Sequence, residues 1–129
     1  MKAWIVAAAL LLSACNLNPY LKFDAQELQN FVEVQAEANV ARTYCRSDPP
    51  RALEIAVVSL PFKASIAESY SMARSSKEVQ QAATILRGLS DELKAAYIKG
   101  PVSPAYCEIK YSLISNAAAK IAVTISKKE

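Results

Sequence analysis

The chain contains no histidine among its 129 residues. That removes the Ser-His-Asp and Cys-His arrangements of nucleophilic catalysis and the common zinc sites. It has two glycines, Gly88 and Gly100, too few and too far apart for a phosphate-cradling loop. No serine has a lysine three residues on, so a Ser-x-x-Lys nucleophile is missing. Cationic residues are dispersed, and the longest basic cluster, Lys127-Lys128, is followed by Glu129. A nucleic-acid footprint needs a concentrated basic face, so no nucleic-acid partner is expected. There are three cysteines, whose spacing fits no metal motif, and no cofactor is expected. What remains is a chain that is 53% hydrophobic, rich in alanine and poor in turn clusters. This composition favours helices over sheets.

Met1-Lys2 is followed by an apolar run, Ala3 to Leu11, and then by Leu12-Ser13-Ala14-Cys15. One positive charge, about ten apolar residues and a small-residue cleavage point make a secretory signal peptide, too short for a membrane span of about 20 residues. Leu-Ser-Ala-Cys resembles the lipobox of bacterial lipoproteins at every position. The resemblance implies lipid attachment to the Cys15 thiol, cleavage before Cys15 and acylation (palmitate or a similar chain) of the new amino terminus. It also implies a lipid anchor on the periplasmic face of a membrane. Asn16, where aspartate favours inner-membrane retention, points to the outer membrane. The expected organisation is a signal peptide over 1–14, a lipidated cysteine and short tether over 15–23, and one periplasmic domain over 24–129. Processing removes only Lys2 among the charged residues, lowering the formal charge from +3 to +2. Fully extended, the eight residues from Asn16 to Phe23 reach about 26–29 Å, so the domain stays near the membrane.

With Cys15 lipidated, Cys45 and Cys107 form an even pair in an oxidising compartment and are expected to bridge. The alternative is two buried free thiols. Each follows a tyrosine, which suggests two aromatic rings flanking the bridge.

The predicted fold is all-α, a small bundle of about four helices. Asp24-Ala25-Gln26-Glu27 resembles a capping box, and Leu28, Phe31, Val34, Ala38, Ala41 and Cys45 come after it at steps of three and four. Ser47-Asp48-Pro49-Pro50 ends this helix. Residues 51–60, apolar almost all round, read as a short helix stopped by Pro61, with a strand over Ile55–Leu60 as the alternative. This run is expected to be the buried centre of the bundle or a groove-lining segment. Phe62, Ile66, Tyr70 and Ala73 begin a third element. Residues 62–98 make one helix, or two if Ser75-Ser76-Lys77-Glu78 caps a new one. Val79, Ala82, Ala83, Leu86, Leu89, Leu93, Ala96 and Tyr97 form the clearest stripe, ending at Gly100-Pro101. Ser103-Pro104 opens the last helix, with Cys107, Tyr111, Ile114, Ala118, Ile121 and Ile125 on one face. A bridge from the end of the first helix to the start of the last is expected to set those two helices parallel, with residues 46–106 returning the chain. Lys110, Asn116 and Lys120 argue against a second membrane span over 109–126, whose β-prone end, Ile121–Ser126, is expected to fray or turn extended.

Paired carboxylates are the remaining catalytic candidates: Glu33 with Glu37, one turn apart, and Asp91 with Glu92. Both pairs read better as a solvated face. Tyr44, Tyr70, Tyr97, Tyr106 and Tyr111 are expected to pack in the core with hydroxyls at its rim, or to form a binding surface. The functional expectation is a non-enzymatic binding or assembly factor for another cell-envelope protein. Small helical, disulfide-bearing lipoproteins that pilot secretion-channel subunits are similar in architecture. The alternatives are a phage or plasmid envelope lipoprotein for exclusion or lysis, such as the outer subunit of a spanin, and a carboxylate-based wall hydrolase.

Overall fold

A computed structural model describes residues 23–46 and 51–128. The expected signal peptide, Cys15, the expected tether up to residue 22 and residues 47–50 lie outside the described residues. The described part is four helices: α1 (Ala25–Thr43), α2 (Arg51–Met72), α3 (Lys77–Lys99) and α4 (Pro104–Ser126). Each packs on its neighbours in the cycle α1–α2–α3–α4–α1. The four inner faces close on one core that includes Phe31, Val34, Leu60, Leu86, Ile114 and Ile125.

The starts of three helices are set by local polar chemistry. The Asp24 carboxylate accepts from the backbone N–H groups of Gln26 and Glu27 at 2.9 and 3.2 Å. Ser76 accepts from the N–H of Val79 and Ser103 from that of Tyr106, each satisfying a donor that the first turn leaves unpaired. Pro104 stands in the first turn of α4, where its missing N–H costs nothing. Gly100 ends α3 at φ 151°, a backbone conformation that side chains with a Cβ rarely adopt.

Cross-helix pairs fix the direction of every helix. Between α1 and α4, Arg46 meets Glu108, Arg42 meets Ser112, Asn39 meets Ser115 and Glu27 meets Lys128. One number rises as the other falls, so α1 and α4 are antiparallel. The same holds for Glu27–Ser71 and Glu37–Lys63 between α1 and α2, and for Gln80–Met72 and Arg87–Glu68 between α3 and α2. The bundle therefore runs up-down-up-down. The parallel arrangement expected from the disulfide is corrected: a junction between one helix's last turn and another's first is where an antiparallel pair meets, and residues 46–106 are the α2–α3 hairpin.

Helix α2 also departs from expectation. It does not stop at Pro61 but continues to Met72, with Pro61 buried in its interior. Proline there removes one i→i−4 hydrogen bond. Burial of Leu53, Ala56 and Leu60 before it, and Ala64 and Ala67 after it, holds both halves against α1 and α3. The strand alternative over 55–60 is excluded, and Ile121–Ser126 stays helical. Ser76 caps α3, so residues 62–98 belong to two helices. Among the described residues, no helix is long and apolar enough to cross a membrane.

Candidate functional site

The expected disulfide is present. Cys45 lies just past the C-terminus of α1 and Cys107 in the first turn of α4, with Cα atoms 5.7 Å apart. Both cysteines are buried. Beside them Arg46 and Glu108 pair through two bonds, at 2.6 and 3.2 Å. Of the flanking tyrosines, Tyr106 packs against the core and Tyr44 is exposed. The bridge joins the two helices at the end of the bundle opposite Asp24.

The carboxylate candidates are not brought together as a free acid pair. Glu37 has the Lys63 ammonium 2.8 Å from its Oε2, a charge contact that does not align as a hydrogen bond. Contact with Glu37 raises the Lys63 pKa above its ordinary value. Glu33 is exposed and accepts from Gln29. Asp91 takes Arg87 at 2.8 Å and Glu92 takes Lys110 at 2.7 Å. These are mostly exposed helix-surface pairs of modest energetic weight. Among the described residues, no group of three or more acidic residues or cysteines could hold a metal ion.

The tyrosines divide. Tyr111 is fully buried and its hydroxyl has no partner among the described residues, so burial pushes its pKa well above the ordinary range. Tyr97 is half-buried and its pKa is raised by desolvation. Tyr70 donates its hydroxyl to Asp24 Oδ2 at 2.8 Å, under the guanidinium of Arg74 at 4.1 Å from its ring centroid. They do not form one binding surface.

A buried polar cluster lies at the Asp24 end of the bundle. Glu27 does not reach back to its own cap but turns inward. Its carboxylate accepts from Ser71 at 2.9 Å and from Lys128 at 3.1 Å, and Lys128 also donates to Ser75. The Glu27 carboxylate, at the start of α1, is thus held from the ends of α2 and α4, so the cluster is a structural staple. Desolvation pushes the neighbouring Asp24 carboxyl up. The Tyr70 hydroxyl, the N–H groups of Glu27 and Gln26 and the Arg74 charge outweigh it and hold Asp24 below the ordinary aspartate range.

Two apolar surfaces face outward. The first is a groove of about 510 Å³ between α3 and α4. Val79, Ala82, Leu89, Ala117 and Ile121 form its floor, and the exposed side chains of Ile85 and Leu113 stand on its walls. Glu78, Asn116, Lys120 and Thr124 rim it. The second is a row on the outer side of α2: Ile55, Val58, Phe62 and Ile66, exposed by 61, 60, 68 and 47%. The apolar run of residues 53–60, expected to be either buried or groove-lining, is divided between the core and this outer row. Leu53, Ala56, Val57 and Leu60 are buried, while Ile55 and Val58 point out. Phe62 and Ile66, expected to begin a third element, lie instead within α2 on its outer row. A further hollow, of about 610 Å³, lies between α2 and the α3–α4 connection and includes Leu53, Val57, Tyr97 and Pro101.

The signal for these surfaces was in the sequence as leftovers. Ile85 and Leu113 fall off the core stripes of their helices, and α2 carries two apolar faces where a bundle needs one. No protein-family model matches the chain, and no curated protein or solved structure is significantly similar to it.

Proposed function

We propose that the chain is a membrane-anchored periplasmic lipoprotein, held through Cys15 at the outer membrane, that acts as a non-enzymatic binding or assembly factor for another envelope protein. The observation that carries this reading is the α3/α4 groove, an apolar floor inside a polar rim. Specific protein interfaces have this anatomy. From Val79 to Leu89 the groove runs about 15 Å along α3, the length of about three helical turns. An amphipathic helical segment of an envelope protein suits it, laying its apolar side between Ile85 and Leu113. The hydrolase reading has less support, because Glu37, Asp91 and Glu92 each face a cation.

The test is photo-crosslinking in cells from a reactive residue at position 85 or 113, with position 33 on α1 as the control site. The expected result is one envelope protein joined at 85 and 113 but not at 33, and reduced when Cys15→Ser releases the chain. Adducts that are equal at all three positions, or no protein adduct, would overturn this reading.

A further inference from the structure

We infer that the outer face of α2 rests on the membrane itself, so that its occupant is a lipid surface. The inference rests on the anchoring of Cys15 proposed above. Ile55, Val58, Phe62 and Ile66 recur at steps of three, four and four, which puts them in one stripe about 16 Å long. The opposite side of α2 already supplies the core, so the stripe contributes nothing to the bundle. The other residues on its side are Ser59, Ser65 and Ser69, whose short hydroxyls can bond to the helix's own carbonyls.

The charges around the stripe suit a headgroup layer. From Ile55 to Ala67 the helix holds no acidic residue, and Glu68 is turned toward Arg87. Arg51 stands before the stripe, Arg74 beyond it and Lys63 on its flank, paired with Glu37. Glu54 flanks its far end, and the Lys63 and Arg74 charges are matched by Glu37 and Asp24. An amphipathic helix at an interface shows this pattern, apolar in the middle and cationic at its edges. The helix lies on the bilayer and does not enter it, since no described helix is long and apolar enough to cross.

Where the preceding chain joins the bundle selects the membrane over other occupants. Asp24, which caps α1, accepts from Tyr70, one helical turn beyond Ile66. The described chain therefore begins, at Phe23 and Asp24, beside the near end of the stripe. At most about 3.3–3.6 Å per residue separates Cys15 from Asp24, so the anchor lies within about 32 Å of that point. Phe23, exposed at the entry, and Leu17, Tyr20, Leu21 and Lys22 before it are residues suited to a membrane interface. The α3/α4 groove belongs to the other side of the bundle, since α2 and α4 are diagonal. Lipid contact through α2 leaves that groove open to the periplasm.

The only tryptophan, Trp4, lies in the signal peptide. Phe62→Trp therefore gives the processed protein a single tryptophan on the stripe, and Ile85→Trp gives one on the groove side. Each lipidated protein is reconstituted into vesicles of phosphatidylethanolamine and phosphatidylglycerol, with and without acyl chains brominated near the headgroup. Flotation of the vesicles reports the anchor and quenching reports the face. The expected result is flotation of both, with a blue shift and strong quenching at position 62 only. Flotation with position 62 unquenched, or with both positions quenched equally, overturns the inference while the anchor stands. So does a blue shift at 62 without lipid that grows with protein concentration, the mark of a second copy on this face. If neither protein floats, the anchor reading fails, and excess vesicles decide the face: quenching at 62 alone supports it, none overturns it.

Discussion

The ammonium of Lys128, at the far end of the chain, lies 3.1 Å from Oε1 of Glu27 in the first turn of α1, and the Glu27 side chain is 1% exposed. The pair closes the cycle of helices at one end of the bundle as the disulfide closes it at the other. A buried charge that loses its partner is left in low dielectric. Lys128→Met should therefore destabilise the protein by about 3 kcal/mol, the low end for breaking a buried pair. Arg46→Met, which removes an exposed partner of Glu108, should cost no more than about 1 kcal/mol. Urea titration of the two variants checks the contrast.

The Cys45–Cys107 bridge spans a sequence separation of 62 residues. In the chain-entropy account, closing such a loop is worth about 4 kcal/mol. Replacing both cysteines by alanine should lower the unfolding free energy by up to that amount. The helices should remain, because Arg42–Ser112 and Asn39–Ser115 also tie α1 to α4. Circular dichroism along a denaturant series separates the two effects: the midpoint should fall while the native helical signal stays.

Asp24 gives the acid-side behaviour of the α1 entry. Its folded pKa lies below the reference value of 3.8, so the unfolded state binds the proton more tightly. The contribution of its charge is then complete above pH ~4, near the unfolded aspartate pKa, and is lost as pH falls through the folded value. Asp24→Asn keeps a good cap and removes the charge. The stability difference between the two proteins should be largest near neutral pH and shrink in acid. A difference that does not change with pH would mean that the cap geometry, not the carboxylate, is what Tyr70 and Arg74 support.

Gly88 sits on an exposed face in the interior of α3, and a Cβ built there meets nothing within 4 Å. Gly88→Ala should stabilise the protein by about 1 kcal/mol, the helix-propensity difference. Thermal unfolding of this variant checks that the position carries no close approach.

The helical class, the disulfide and the starts of α1 and α4 were legible because each is written in local chemistry, while the start of α3 was one of two readings. Asp24, Ser76 and Ser103 cap the helices that begin after them, and the apolar stripes of α1, α3 and α4 are the core. The course of α2 was less legible. Pro61 is a local stop signal, and only burial on both sides of it, a tertiary fact, carries the helix through. The pairing of Glu27 with Lys128 was invisible for a related reason. Glu27 stands three residues after Asp24, where a capping box would place it, and its real partner is 101 residues away. The direction of α1 and α4 was within reach of the sequence: two helix ends of opposite polarity that meet belong to an antiparallel pair. The outward apolar rows were present as residues that no core stripe used, yet nothing in one sequence says which apolar residues a bundle leaves outside.

The compartment, the tether, the outward face of α2 and the route to an envelope partner all depend on the chemistry at Cys15. The measurement that tests this most directly is the intact mass of the protein purified from bacterial membranes. The account predicts a chain that begins at Cys15, carries a diacylglyceryl group on its thiol and an acyl chain on its amino terminus, and loses both with Cys15→Ser. A chain that keeps Met1, or one cleaved elsewhere with an unmodified Cys15, would contradict it.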